Sequence, residues 1–245
     1  MQPLVSFDIE IANVFTLAPG EDLERYAPFD ISVAAAATHG GSVRHWHARD
    51  AAGKPTGILD AATARAVLEY LREEQRRGTR VAAWNGLSFD LRWLGHVAGD
   101  MQLASDVALE LYDPMFQFAT QKGFPIGLAA VAEGMGIAQK KLMSAERAPI
   151  EWQAGNTQLV LDYVAGDCTL TNQVVAAIEA AGVVKWRTKR GTISSEPLRT
   201  LRKVRDVMND PPPDQSWMSE PKPMTSYWAW MKKPQEKGQL SFFEG

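Results

Sequence analysis

The sequence predicts an α/β protein in which helices flank a mixed sheet. Three observations support this prediction: residues 4–12 alternate with the period of a strand, two more apolar runs follow, and a helix at 60–78 leads directly into a fourth apolar segment. Because a helix between two strands crosses over the sheet, at least one pair of strands should be parallel.

Composition is that of an ordinary globular protein. The 245 residues are 45% hydrophobic and 22% charged, enough for one large domain and an appendage. No apolar run reaches the roughly 20 residues of a membrane span, and no signal peptide is recognisable, so we expect a cytoplasmic protein without a membrane partner. The single cysteine, Cys168, excludes an intrachain disulfide and directs any metal chemistry towards oxygen ligands.

The first strand carries two carboxylates on one face. Its side chains alternate with a period of two, so Asp8 and Glu10 project together from a mostly apolar segment. Two like charges roughly 4 Å apart repel by about 4 kcal/mol at an effective dielectric of about 20, and a divalent cation such as Mg²⁺ relieves this repulsion. The same pattern also fits an edge strand with a solvated polar face.

Residues 31–37 and 42–47 predict the next two strands. A glycine-containing turn joins them, so strands one to three should form an antiparallel meander. His45 and His47 could bind a metal, but no third ligand is near them in sequence, and we interpret them as partly exposed strand residues.

The segment after the first helix supplies another acid. Asp60 should cap the helix that ends at Gly78, and residues 80–84 should form a strand. Beyond this strand, Ser88 can cap a helix whose first turn contains Asp90, at a strand end where ligands commonly bind. An aspartate in a first turn is also common as a simple partner of the helix dipole.

The remaining helices are predicted at 107–120, 128–135 and 157–180. The first two contain Asp113 and Glu133, which could support a site from behind.

The third of these helices follows Asn156 and places Tyr163 and Asp167 one turn apart on one face. This pair could be solvent-exposed, but Gly166 favours the close approach of a backbone or ligand, because an interior helix glycine costs about 1 kcal/mol relative to alanine.

Three motifs in a fixed order are more specific than any one of them. They read Phe7-Asp8-Ile9-Glu10, Asn85-Gly86-Leu87-Ser88-Phe89-Asp90 and Tyr163-Val164-Ala165-Gly166-Asp167. Together they resemble the DEDD superfamily of 3′–5′ exonucleases in its tyrosine-bearing (DEDDy) branch, to which the proofreading domains of family B DNA polymerases belong. The resemblance extends over about residues 1–182 and implies an RNase H-like fold.

The resemblance also implies a site. Asp8, Glu10, Asp90 and Asp167 would bind two divalent metal ions, Mg²⁺ or Mn²⁺, and Tyr163 would position the attacking water. Two such ions stabilise the attacking and leaving oxygens in phosphodiester hydrolysis, and four carboxylates match their charge. Asn85 is a candidate contact to nucleic acid. The first motif continues with Ile11 where the family commonly has threonine, and no polymerase domain follows, which indicates a stand-alone nuclease.

Positive charge is concentrated in one segment. Residues 183–206 carry a net charge of +6, whereas the rest of the chain carries −9. We expect a hairpin at 183–193, followed by a helix that Ser194 or Ser195 caps and that ends at Val207. The candidate nucleic-acid contacts are Trp186, Arg187, Lys189 and Arg190. The segment could equally be a solvated surface, or a lid that packs on the body through Trp186 and Leu198.

The C-terminal residues form a proline- and tryptophan-rich tail. We therefore predict three regions: an exonuclease domain at 1–182, a basic appendage at 183–207, and a tail at 208–245. Near its end, Gln239, Leu240, Phe242 and Phe243 resemble the short motif with which bacterial replication and repair proteins bind the DNA sliding clamp. Alternatively, the two phenylalanines anchor the tail on the body.

These observations predict a metal-dependent 3′–5′ exonuclease that acts on single-stranded DNA ends in DNA repair or replication. An exoribonuclease is the nearest alternative, because the sequence does not reveal contacts to a 2′-hydroxyl group. A catalytically silent adaptor for nucleic acid or the sliding clamp is an alternative of another class, which the complete set of four carboxylates disfavours.

Overall fold

A four-stranded sheet forms the centre of the molecule in a computed structural model that describes residues 2–18 and 20–232. Its strands lie in the order β3-β2-β1-β4, with bounds β1 (Leu4–Ile11), β2 (Ile31–Thr38), β3 (Val43–His47) and β4 (Arg80–Ala82). β2 is antiparallel to β1 and β3, whereas β4 is parallel to β1. The predicted meander and the predicted parallel pair are both confirmed.

Helices surround this sheet. They are α1 (Ala61–Arg76), α2 (Asp90–Ala98), α3 (Met101–Leu109), α4 (Pro114–Lys122), α5 (Leu128–Gly134), α6 (Arg147–Gln153), α7 (Thr157–Ala181) and α8 (Val204–Val207). Short 3₁₀ turns occur at Leu23–Tyr26 and Met224–Tyr227. In the part of the chain that is described, none of these helices has both the length and the apolar character needed to span a bilayer.

Both faces of β2 are buried, each against different helices. Ala34 and Ala36 belong to the large core that includes α1 and α2, whereas Ala35 and Ala37 pack with α7. The small alanine side chains let α7 lie close to the strand, and its side chains reach the strand backbone. Cys168 Sγ donates to the Ala35 carbonyl at 3.4 Å. The result is the predicted mixed sheet flanked by helices.

The predicted helix at 107–120 is wrong, because an extended segment divides it into α3 and α4. Tyr112 forms a parallel bridge with Ala82 at the end of β4 and an antiparallel bridge with Lys203. Asp113 then caps α4 by accepting from the Phe116 N–H at 3.1 Å. Pairing to the sheet therefore overrides the helical tendency of this segment.

The two predicted N-caps differ in outcome. Asp60 caps α1 as predicted, with its carboxylate accepting from the Thr63 N–H at 2.7 Å. Ser88 does not cap α2, so that prediction is wrong. Phe89 occupies the cap position without a side-chain hydrogen bond, and Ser88 Oγ donates to Asn85 Oδ1 at 2.6 Å instead.

The basic segment forms the predicted hairpin, from β5 (Val183–Arg187) and β6 (Ile193–Pro197). The helix predicted from Ser194 or Ser195 is wrong, because both serines are in β6, opposite Trp186 and Lys185 respectively. A helix occurs only at α8, which Lys203 precedes. Ser194 and Ser195, which the sequence placed at the start of a helix, thus belong to a strand because they pair with β5 across the turn.

The beginning of the tail lies on the body. Met224 and Tyr227 are buried in the main core, and Trp230 Nε1 donates to the Leu87 carbonyl at 2.8 Å. The region boundaries after residues 182 and 207 stay predictions. Residues 233–245, which contain Gln239, Leu240, Phe242 and Phe243, lie outside the described part of the chain.

Candidate metal centre

β1 supplies two of the predicted acids from the middle of the sheet. Asp8 and Glu10 alternate with buried apolar residues and pair with Ala35 and Val33 of β2. Glu10 is 6% exposed, and Asp8 is partly exposed. Since β1 pairs on both sides with other strands, the prediction of a central strand is correct and the edge-strand alternative is wrong.

α7 supplies Tyr163 and Asp167 from the face that packs on β1 and β2. Both side chains are buried, so the alternative of a solvent-exposed pair is wrong. Gly166 does not mark a close approach, because a Cβ there would meet only the Gln139 side chain, at 3.9 Å. The burial of the pair instead follows from the apolar face of α7.

The loop before α2 leads directly to Asp90, the first residue of that helix. Its carboxylate accepts from the backbone N–H of Ile9 at 3.1 Å, which fixes it beside the strand residue between Asp8 and Glu10. Asp113 holds this loop by accepting from the N–H groups of Asn85 and Leu87, at 3.2 and 3.1 Å. Asp113 thus supports the site from behind, as predicted. Asn85 has a φ of 69°, a left-handed conformation that asparagine tolerates well.

Three carboxylates converge closely enough to share a cation. Asp8, Glu10 and Asp167 each present one oxygen, and these oxygens lie within 4.8 Å of one another. One buried oxygen of Asp167, Oδ1, has no hydrogen-bond partner among the described residues. A buried carboxylate oxygen without a donor is expected where a cation binds, and an all-oxygen donor set suits Mg²⁺ or Mn²⁺. The residues present therefore fit a divalent ion.

The four acids also perturb one another. Burial raises the pKa of Asp8 well above its usual value, and the charges of Asp90, Glu10 and Asp167 raise it further. Burial and the neighbouring Asp167 likewise raise the pKa of Glu10. Burial raises the pKa of Asp90 to about 7, against the backbone hydrogen bonds that lower it. Such crowding of acids in the metal-free protein is what a bound cation would relieve.

Lys141 is the site residue that the sequence analysis missed. Its ammonium pairs with Asp167 Oδ2 at 2.5 Å and donates to Tyr163 Oη at 3.1 Å. Burial lowers the pKa of Lys141, but Asp167 and the other acids outweigh burial and raise it overall. Lys141 comes from the connection between α5 and α6, where neither periodicity nor a cap indicates function. Only its positive charge could have singled it out.

The site opens into a cavity of about 370 Å³ with a mixed lining. The four carboxylates, Tyr163 and Lys141 supply polar groups. Phe15, Leu17, Leu23 and Phe89 are among the apolar residues that line it. The cavity can therefore hold a ligand that has both an apolar part and a part that binds beside acids.

The other predicted residues lie elsewhere. Trp186, Arg187, Lys189 and Arg190 line a second groove, and Asn85 does not line the acidic cavity. The hairpin packs on the body, in agreement with the lid alternative: Leu198 is buried, and Trp186 meets Phe118 edge to face with ring centroids 5.1 Å apart.

Glu133 pairs with Arg187 on the hairpin. No described contact joins Glu133 to the carboxylates, so its predicted support of the site is not found.

The two histidines of β3 also lie apart from the acids. His45 Nε2 donates to the Leu161 carbonyl at 3.1 Å, and His47 Nδ1 donates to the Ala48 carbonyl at 3.0 Å. Both histidines are partly buried residues of β3, and neither belongs to the group of possible metal ligands formed by Asp8, Glu10 and Asp167.

Fold and site together define the chain as an α/β protein with an acidic candidate metal centre at the middle of its sheet. No family model matches the sequence, and no curated protein matches it. Among solved structures, the chain is similar to the family B DNA polymerase from the hyperthermophilic archaeon Pyrobaculum calidifontis, with 17% identity and a TM-score of 0.47. The match covers 71% of this chain and 25% of the polymerase, so the chain spans about a quarter of that protein.

Proposed function

We propose that the protein is a metal-dependent 3′–5′ exonuclease that removes nucleotides from single-stranded DNA ends in repair or replication. The observation that carries this proposal is the convergence of Asp8, Glu10 and Asp167, with Asp90 fixed beside them, in one cavity. Acids on β1, α2 and α7 are far apart in sequence, and folding brings them together at considerable electrostatic cost. A site that crowds acids in this way is typical of metal-assisted phosphoryl chemistry.

In this proposal, Asp8, Glu10, Asp90 and Asp167 hold two divalent ions, Mg²⁺ or Mn²⁺. When bound, the ions supply an activated water and stabilise the charge that develops on the scissile phosphate. Apolar residues that line the cavity, among them Phe15 and Phe89, would receive the terminal base and limit the access of bulk water.

Tyr163 acts as an orienting group rather than as a base. Burial, followed by the charges of Glu10 and Asp167, raises the pKa of its phenol. Because the hydroxyl stays protonated at neutral pH, it can position a water molecule by hydrogen bonding but cannot serve as a phenolate. Lys141 fixes this hydroxyl through its 3.1 Å contact and neutralises part of the charge on Asp167.

The decisive assay uses strands labelled at either end, with Mg²⁺ or Mn²⁺ and with a chelator as control. We expect early release of a 3′ label as mononucleotide, a shortening ladder from a 5′ label, and no cleavage in chelator. Degradation of RNA in preference to DNA would change the substrate to RNA. Binding of DNA without cleavage under every metal condition would favour the silent adaptor instead.

Two variants test the assignment of residues. Asp8→Ala should abolish metal-dependent cleavage, because it removes one of the three converging oxygens. Tyr163→Phe should slow turnover severely while folding and DNA binding stay nearly intact, because only the hydroxyl is lost. Asp162→Asn is a matched control on α7, since Asp162 is exposed and accepts from Gln158 at 2.8 Å. Full activity of Asp8→Ala would contradict the metal centre.

We further propose that Gln239, Leu240, Phe242 and Phe243 attach this nuclease to a bacterial DNA sliding clamp. Support comes from sequence alone: a glutamine followed by aliphatic and aromatic anchors. The intact protein should capture the clamp in a pull-down experiment, and a chain that lacks residues 239–243 should not. Absence of clamp binding by the intact protein would exclude this partner.

A further inference from the structure

A second groove lies beside the hairpin, separate from the residues of the acidic cavity. It has a volume of about 780 Å³, and its walls come from residues 124–130, the β5–β6 hairpin and Trp217 of the tail. This volume is within the range of about 300–1,000 Å³ that ligand sites usually have. None of its lining residues lines the cavity that contains the carboxylates.

Aromatic side chains form a continuous series along this groove. Trp186 lies 6.5 Å from Phe124, and Phe124 lies 5.9 Å from Trp217, measured between ring centroids. Trp217 ends the series and is 63% exposed, the highest exposure among the large hydrophobic side chains of the described residues. Its ring meets Phe124 edge to face, at 87°, so a planar group could stack against the open indole.

The charge of this groove is opposite to that of the acidic cavity. Arg187, Lys189 and Arg190 line it from the hairpin, and the described lining residues include no Asp or Glu. Lys189 and Arg190 are exposed at the turn between β5 and β6. Arg187 pairs with Glu133, and its side chain is still 50% exposed. Three cations next to an exposed indole suit a ligand that carries both phosphates and flat rings.

Single-stranded nucleic acid has this chemistry. Its bases are free to stack on an aromatic ring, whereas the bases of a duplex are already stacked on one another and their faces are hidden. A free nucleotide would use the indole but only one or two of the cations. An acidic peptide would use the cations but leave the indole without a planar partner. The groove therefore suits several linked nucleotides best.

We propose that this groove binds single-stranded DNA by stacking a base on Trp217 and pairing backbone phosphates with Lys189 and Arg190. The choice of DNA rests on the proposed exonuclease function. The groove would be a second binding site on the strand, away from the acids that cleave it. Such a site would increase the affinity for long strands without taking part in the cleavage of the terminal nucleotide.

Binding is measured by fluorescence anisotropy with labelled oligothymidylate of about 16 nucleotides, in chelator so that no cleavage occurs. Trp217→Ala should weaken binding by about 5- to 150-fold, the range expected for the loss of one stacked base, with an unchanged dependence on salt. Because Trp217 is mostly exposed, this change should not disturb folding. We avoid Trp186 because it packs against Phe118.

The proposed phosphate contacts are tested by the salt dependence of binding. The double variant Lys189→Gln, Arg190→Gln should decrease the slope of log affinity against log salt by about 1.4, or about 0.7 for each phosphate contact. The matched control is Lys54→Gln, Arg76→Gln, which removes the same charge from exposed positions outside the groove. The control should leave the salt slope within experimental error of the wild type.

The two proposals can fail independently. Wild-type affinity of Trp217→Ala for oligothymidylate would overturn the groove assignment, even if the protein cleaves DNA. Weaker binding by Trp217→Ala in a protein that never cleaves DNA would support the groove and refute the exonuclease. Tighter binding of oligouridylate than of oligothymidylate, lost again in Trp217→Ala, would overturn the choice of DNA.

Discussion

Replacing Asp90 by asparagine should stabilise the metal-free protein while it abolishes cleavage. Burial raises the pKa of this carboxyl from 3.8 to about 7. Because the folded state holds the proton more tightly than the unfolded chain, the wild type loses stability as the pH rises from about 4 to about 7. Asparagine cannot ionise, yet its Oδ1 can still accept from the Ile9 N–H.

The size of the effect follows from the two pKa values. Each pKa unit is worth about 1.4 kcal/mol, so ionised Asp90 destabilises the folded state by about 4 kcal/mol at pH 8. At pH 5 the folded state keeps the proton, and only the unfolded chain gains from ionisation, which reduces the expected gain of Asp90→Asn to about 2 kcal/mol. The stabilisation should therefore increase with pH.

Urea unfolding in chelator at pH 5, 6, 7 and 8 measures this dependence. Asp106→Asn is the control, because Asp106 is an exposed helical carboxylate that accepts from Gln102 at 2.9 Å. Saturating Mn²⁺ should stabilise the wild type more than Asp90→Asn. If Asp90→Asn is no more stable than the wild type in chelator at pH 8, the buried Asp90 carboxylate carries no electrostatic cost, and its contribution to the electrostatic argument for the metal centre is refuted.

Two other substitutions test the ion pair of Lys141 at the site and the packing of the hairpin on α5. Lys141→Met should destabilise the metal-free protein by about 1–3 kcal/mol, less than for a fully buried pair because the lysine is 29% exposed, and Mn²⁺ should restore most of the loss in unfolding experiments. Equal stability of variant and wild type in chelator would show that this ion pair contributes nothing. Gly134→Ala should lower the stability by about 1–3 kcal/mol, because a Cβ there would lie 2.5 Å from the backbone of Lys185 and push the hairpin away from α5. An unchanged melting temperature, with unchanged proteolysis of the hairpin, would contradict this docking.

Local patterns predicted the parts of the structure that depend on local physics. The alternation around Asp8 and Glu10 identified the central strand, because side chains on a strand reverse direction at every residue. Asp60 was recognisable as a cap because capping is also local: its carboxylate accepts from the N–H group three residues later. Tyr163 and Asp167 share a face by helical geometry alone.

Two of the errors concern contacts between segments that lie apart in sequence. Nothing near Tyr112 in sequence shows that it will pair with Ala82, yet this pairing divides the predicted helix. Ser194 and Ser195 resemble helix caps until the hairpin pairs them with Trp186 and Lys185.

Lys141 was missed because its function depends on Asp167 and Tyr163, which only folding brings near it. When the role of a residue depends only on neighbours that are distant in sequence, neither periodicity nor a capping pattern identifies it.

The alanines of β2 have a consequence for the chemistry of the site. Ala35 faces α7, pairs with Asp8 across the sheet and receives the thiol of Cys168, the residue that follows Asp167. A larger side chain at position 35 would lift the helix and carry Asp167 away from the acids of β1. The distance between Asp167 and the acids of β1 is thus set by a methyl group outside the acidic cavity, and β2 acts as the spacer between the two sets of carboxylates.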